Sequence, residues 1–187
     1  VNGGDIIMNK ISIRNATYAI IGLKDMVDYI NLKSPAPTKG MIMVEIGSYV
    51  GDSTRVFAQN FNHVISVDPY KNGYDDSDTS SYKYPMEDVY KQFKTDILDK
   101  FENVQHLRET SDNAVKLFVE KKVFDFVYID GNHQPDVVDH DVRIWLPKVR
   151  INGWIGGHDY NRVKLVVDRL LKPDAVFRDT SWIKRVI

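Results

Sequence analysis

The chain contains no cysteine. That excludes a disulfide framework, a thiolate zinc site and a cysteine nucleophile together. The absence fixes no compartment, but it suits a reducing cytosol, and a cytoplasmic protein is expected. No apolar run approaches the roughly 20 residues of a membrane-spanning helix. No basic-then-apolar leader opens the chain, so no membrane partner is expected. An excess of one charge is lacking as well. Lysine and arginine number 25 against 26 aspartates and glutamates, a formal net charge of -1. The whole chain therefore exerts little pull on nucleic acid, and none is expected as a partner. An initiator methionine is also missing. Residues 1–14, opening Val1-Asn2-Gly3-Gly4-Asp5, are read as a leader, partly vector-derived, with Met8 a plausible native start.

What remains is an ordinary globular balance. Hydrophobic residues are 43% and charged residues 27% of 187, enough for a real core and suited to one domain, expected over 15–187. Apolar positions at Ala16, Ala19, Ile20, Leu23, Met26, Val27 and Ile30 follow helical spacing. Short apolar strands are predicted at 41–46, 63–68, 104–107, 124–130 and 153–157, with closing strands at 175–178 and 182–187. Helices are expected between them at 53–60, 86–101, 111–121, 135–146 and 162–171. Residues 71–85 break the pattern as a polar, tyrosine-bearing insertion without apolar period. Such a length suits either a lid over a site or a mobile surface loop. Alternation of strand and helix implies an α/β fold: a Rossmann-like three-layer sandwich around a mostly parallel seven-stranded sheet. Ligands in such sheets sit beyond the carboxyl ends of the strands.

Four motifs fall at those ends. Glu45-Ile46-Gly47-Ser48-Tyr49-Val50-Gly51-Asp52-Ser53 runs from strand through a glycine turn into a helix. Glycine permits positive φ and close backbone approach, and the helix start offers free N–H groups. The turn lacks the third glycine of the dinucleotide fingerprint and the Gly-Lys-Ser/Thr of a P-loop. Asp68 ends the second strand, 21 positions after Gly47, where a carboxylate can accept from both hydroxyls of a ribose. The competing role is an Asx turn before Pro69. Ile129-Asp130-Gly131-Asn132-His133 places a carboxylate and an imidazole at the fourth strand end, the latter able to take a hydroxyl proton. Gly156-Gly157-His158-Asp159-Tyr160 follows the fifth strand. Asp130 and Asp159 would then lie on adjacent strand ends, where their repulsion favours a bound Mg2+ or Mn2+. Asp159 could equally cap the next helix. At the third strand end, Ser111 and Asp112 are either helix caps or neighbours of a bound base. His63, His106 and His140 are read as structural or solvent-facing.

In this order the motifs resemble the class I S-adenosylmethionine-dependent methyltransferases. They read Glu-x-Gly-x-x-x-Gly-x-Ser, an acidic second strand end, Ile-Asp-Gly-x-His, and a Trp145-Leu146-Pro147 helix end with a glycine-rich strand after it. The most specific stretch is 124–160, similar to a subgroup of small-molecule and macrolide-sugar O-methyltransferases, some of them metal-dependent. The resemblance implies the last strand antiparallel and S-adenosylmethionine as cofactor. It implies cofactor contacts from Glu45, Gly47, Ser48, Gly51 and Ser53 in the turn, Asp68 at the ribose, and Ser111, Asp112 and Asp130 further along. It implies Asp130 and Asp159 as metal ligands, with His158 beside them, and His133 as general base. The implied acceptor is a small molecule, a sugar or glycan hydroxyl among them, and a homo-oligomer is compatible. Asn132 departs from the pattern, standing where aspartate is frequent. The alternatives are a nicotinamide-dependent oxidoreductase and a non-catalytic nucleotide-binding module of the same fold.

Overall fold

The computed structural model describes residues 11, 16–76 and 78–187, with the side chains of 16–19 left out. The expected leader at 1–14 lies almost wholly outside these residues. Alternating apolar character produces the central strands. β1 (Ile42–Ile46) lies parallel to β2 (His63–Val67) on one side and to β4 (Phe124–Ile129) on the other. β3 (Val104–Leu107) extends the sheet beyond β2, and β5 (Val149–Gly157) lies beside β4. The short β6 (Ala175–Val176) and β7 (Trp182–Arg185) close it. The order is β3-β2-β1-β4-β5-β7-β6, with β7 antiparallel to both neighbours. The seven-stranded, mostly parallel sheet with an antiparallel last strand is as expected from the sequence.

A period of two divides the side chains between two faces. Val44, Ile46, Val127, Ile129 and Ile155 point to one face. There they meet α5 (Ser111–Leu117), α6 (Pro135–Trp145) and α7 (Tyr160–Leu170). Met43, Val64, Phe126, Tyr128 and Trp154 point to the other, against α1 (Ala16–Lys33) and α2 (Asp52–Asn60). The three tryptophans anchor the layers and are essentially fully buried. Each indole N–H has an acceptor: Trp145 donates to Ser111 Oγ, Trp154 to Ser34 Oγ and Trp182 to the His158 carbonyl. Burial of each contributes on the order of 2–3 kcal/mol, and the paired N–H avoids a desolvation cost.

The 71–85 insertion holds a four-residue helix, α3 (Ser80–Lys83). The predicted helix from 86 is shorter than its apolar stripe suggests. α4 (Met86–Phe93) passes into a π-helical turn at Lys94–Leu98. This widened turn still buries Ile97 beside Phe93, under Val50 and Tyr70. Thr110, not Ser111 or Asp112, caps α5: its side chain accepts from Asn113 N. The Ser111 hydroxyl is committed elsewhere, donating to buried Asp141 and accepting from Trp145.

Candidate functional site

The carboxyl ends of β1, β2, β4 and β5 open into one cleft of roughly 340 Å³, a volume suited to a small ligand. The glycine turn forms its floor. Gly47 adopts φ +86, and its N–H continues the sheet by donating to Val67 O at 2.8 Å. A Cβ there would stand 2.2 Å from the Asp130 carbonyl, so glycine is required by space as well as by conformation. Gly51 is left-handed too, at φ +89, and starts α2. Between them Tyr49 is held at φ 45, which a non-glycine residue adopts at a cost of about 1 kcal/mol or more. The Tyr70 hydroxyl fixes that conformation by donating to the Tyr49 carbonyl at 2.8 Å.

Asp68 ties this turn to the second strand end. One oxygen accepts from Tyr70 N at 2.8 Å, the Asx turn anticipated before Pro69. The other accepts from Ser48 N at 3.1 Å and Tyr49 N at 2.9 Å. A carboxylate offers about four acceptor sites, so the three amides leave one over, and Asp68 is among the residues lining the cleft. Burial raises the Asp68 pKa, opposed by those three amides and by Arg108. Burial also lifts the Tyr49 and Tyr74 phenols to about 12, with nearby charge adding to it. Both hydroxyls are therefore neutral donors at ordinary pH.

The other half of the cleft is acidic. Asp159 stands at the N-terminal position of α7 with φ 51, yet its side chain caps no helix N–H. The carboxylate lies instead 3.2 Å from His133 Nε2 and 3.4 Å from His158 Nδ1. Asp130 Oδ1 lies 3.5 Å from His133 Nε2 and 3.7 Å from His158 Nδ1. Both imidazoles thus face the same carboxylate pair. Burial works against a charge on His133, but the hydrogen bond and charge of Asp130, with Asp159 and Asp78, outweigh it and raise the pKa to about 9. His133 is an imidazolium at neutral pH. Asp130, His133 and Asp159 each bring a ligand atom within 4.8 Å of the others, a set of hard oxygens and one imidazole that fits a divalent cation. Among the described residues the convergent set includes His133 rather than His158.

The expected site residues are distributed as follows. Gly47, Ser48, Ser53, Asp68, Ser111 and Asp130 line the cleft, as do His133, His158 and Asp159. Glu45 does not: it is fully buried beneath the turn and accepts from Thr54 Oγ1 at 2.5 Å. Gly51 and Asp112 also lie outside the lining. Asp112 pairs at the surface with exposed His140, 2.7 Å away. Two lining residues from the insertion, Asp75 and Asp78, carry no signal in the sequence. They sit in a polar run whose partner, His133, is 58 positions away from Asp75.

No curated relative matches the sequence significantly. Among solved structures, the fold is similar to that of a Staphylococcus aureus protein assigned as a caffeoyl-CoA O-methyltransferase. Identity is 16% over 93% of this chain and 83% of that one, with a TM-score of 0.59. A Klebsiella pneumoniae protein assigned as an O-methyltransferase gives 17% over 83% and 60%, with a TM-score of 0.51. An rRNA methylase from Streptococcus thermophilus gives 11% over 95% and 100%, again with a TM-score of 0.59. The chain spans from 49% to 83% of the first three structures matched. The methyltransferase-domain family matches residues 44–160, the segment from the glycine turn to the start of α7, which disfavours the nicotinamide alternative. By that match, over more than half its length, the chain belongs to the methyltransferase-domain family.

Proposed function

We propose that the chain transfers a methyl group from S-adenosylmethionine to a hydroxyl of a small acceptor, a sugar among the candidates. The observation that carries this reading is the division of one cleft into two halves. A glycine turn and a strand-end carboxylate lie on one side, and an acid–imidazole group lies on the other. The cofactor supplies the electrophilic methyl group. Gly47 and Ser48 would hold its methionine part, Ser53 its carboxylate, and the remaining acceptor site of Asp68 a ribose hydroxyl. Ser111 would lie beside the adenine. The chain's main contribution to rate is alignment of the two reactants.

On the acceptor side His133 would take the hydroxyl proton at Nε2, the nitrogen that faces Asp130 and Asp159. The proton it carries at neutral pH must leave first. In a cation-loaded site Asp130, His133 and Asp159 would instead hold a divalent cation that lowers the pKa of a bound hydroxyl; His133 Nε2 is then a ligand, and the hydroxyl proton passes to solvent. The test is calorimetric titration of the full chain with S-adenosylhomocysteine and, separately, with NAD. Binding of the first in the micromolar range, weakened at least about tenfold by Asp68→Ala, is expected, since a hydrogen bond to a charged group is worth about 1.5–3 kcal/mol. Binding of NAD alone would sink the proposal.

A further inference from the structure

The insertion at 71–85 reaches into the acidic half of the cleft through one side chain. Asp75 is only 3% exposed. A single oxygen of it, Oδ2, accepts from His133 N at 2.8 Å and lies 3.0 Å from His133 Nδ1. The ring is thereby gripped at its backbone and at one nitrogen. With Nδ1–H directed at Asp75, Nε2 is the nitrogen left to face Asp159 and Asp130. A ring without that grip keeps only the longer approach of Nδ1 to Asp78, 3.6 Å, and can turn about its last side-chain bond to exchange the two nitrogens.

The grip is itself held. Asn132 is buried, and its Nδ2 donates to the Tyr74 carbonyl at 3.1 Å, while its Oδ1 accepts from Gln134 N at 2.9 Å. An aspartate at 132 could not donate to that carbonyl. The asparagine therefore faces the insertion and clasps the residue before Asp75. On the far side the Ser81 hydroxyl bonds the carbonyls of Asp75 and Asp78, so the turn carrying Asp75 is closed on itself.

We propose that Asp75 is a positioning residue: it orients His133 toward the Asp130–Asp159 pair, so that binding of a divalent cation there and seating of the 71–85 segment depend on each other. The proposal rests on the metal-competent site described above. Its physical basis is that a histidine ligand needs its second nitrogen fixed by an outer acceptor, and removing that acceptor typically weakens metal binding about 10–100-fold.

The experiment uses the full chain and Mn2+ as the probe. Mn2+ affinity is measured by electron paramagnetic resonance for the parent, Asp75→Asn and Asn132→Ala. S-adenosylhomocysteine affinity and thermal midpoint are measured on the same samples. Trypsin cleavage after the exposed Lys71 and Lys83 reports seating of the segment. The parent is expected to bind Mn2+ and to be cleaved more slowly when it does. Asp75→Asn should weaken Mn2+ at least about tenfold and lose the protection, with S-adenosylhomocysteine affinity within about twofold of the parent. Asn132→Ala, which leaves Asp75 and His133 chemically intact, should move both readouts the same way and less far. Histidine 15N spectra recorded above pH 9, where the ring has lost its second proton, should show the Nδ1–H form of His133 in the parent and a mixture in Asp75→Asn. Unchanged Mn2+ affinity in Asp75→Asn overturns the proposal, and so does a parent that binds no Mn2+. Neither result touches the cofactor reading, which fails only if S-adenosylhomocysteine does not bind the parent.

Discussion

Replacing His106 by asparagine should remove the loss of stability that this one side chain contributes between about pH 7 and pH 5. His106 lies on β3 in a cage of Tyr70, Tyr90 and Phe93, with ring centroids 5.2 to 5.6 Å away. Its Nδ1 is 3.1 Å from the Ser66 carbonyl, and its Nε2 is enclosed with no hydrogen-bond partner among the described residues. A second ring proton would find no acceptor. Burial accordingly lowers the pKa from 6.5 to about 4, against the Ser66 bond and aided by Arg108. The unfolded chain takes up this proton as pH drops through 6.5, whereas the folded chain waits until about 4. The unfolded state binds more protons throughout that window, so stability falls as pH falls. Two-state proton binding with those values gives about 1.8 kcal/mol between pH 7 and 5. Partial exposure of the ring reduces this to about 1 kcal/mol. Urea unfolding followed by tryptophan fluorescence reads it as a midpoint shift of about 0.5 M, for a slope near 2 kcal/mol/M. Asparagine keeps a donor toward Ser66 but loses the ring, so it lowers the midpoint at both pH values. The difference between them should shrink by about 0.5 M. A variant that loses as much stability as the parent on acidification would refute the argument.

Two further outcomes follow from the geometry. Gly47→Ala puts a methyl 2.2 Å from the Asp130 carbonyl at a φ that alanine rarely adopts, and should abolish S-adenosylhomocysteine binding in calorimetry while lowering the thermal midpoint. Asp141→Asn should work in the opposite pH sense to His106. Burial raises the Asp141 pKa to about 6, eased by the Ser111 hydrogen bond, so the folded state favours the protonated acid. That contribution is present at low pH and is lost as pH rises through about 6. The amide should therefore gain on the parent by about 1.4 kcal/mol between about pH 5 and pH 8, read as a difference in urea midpoints at those two values.

The parts of the site at strand ends were legible because parallel-sheet topology puts every strand end at one edge. Once Gly47, Asp68, Asp130 and Asp159 were placed on strands, their convergence needed no further information. Side-chain direction was not legible in the same way. Glu45 sits in the motif but alternates to the face beneath the turn, and Asp112 follows Ser111 yet turns outward to His140. Asp75 could not be found from the sequence, because neither periodicity nor turn chemistry distinguishes it from Asp76 or Asp78. The helix at 86 was overextended because a π turn preserves an apolar stripe while changing the hydrogen bonding. Asn132 read as a missing charge, whereas it is a donor to the insertion.

The pairing of β1 with β4 has a consequence for the order of folding. Val44 and Ile46 find their partners at Val127 and Ile129, and Asp130 N closes the turn by donating to the Ile46 carbonyl at 2.7 Å. Gly47 takes its shape against that same residue's carbonyl. A chain emerging from the ribosome can pair β1 with β2 early, but the turn between β1 and α2 stays one-sided until residue 130 has been made and has docked. Closing so long a loop is slow compared with local pairing. A nascent chain arrested before β4 would thus carry the whole glycine motif and still be unable to hold a nucleoside.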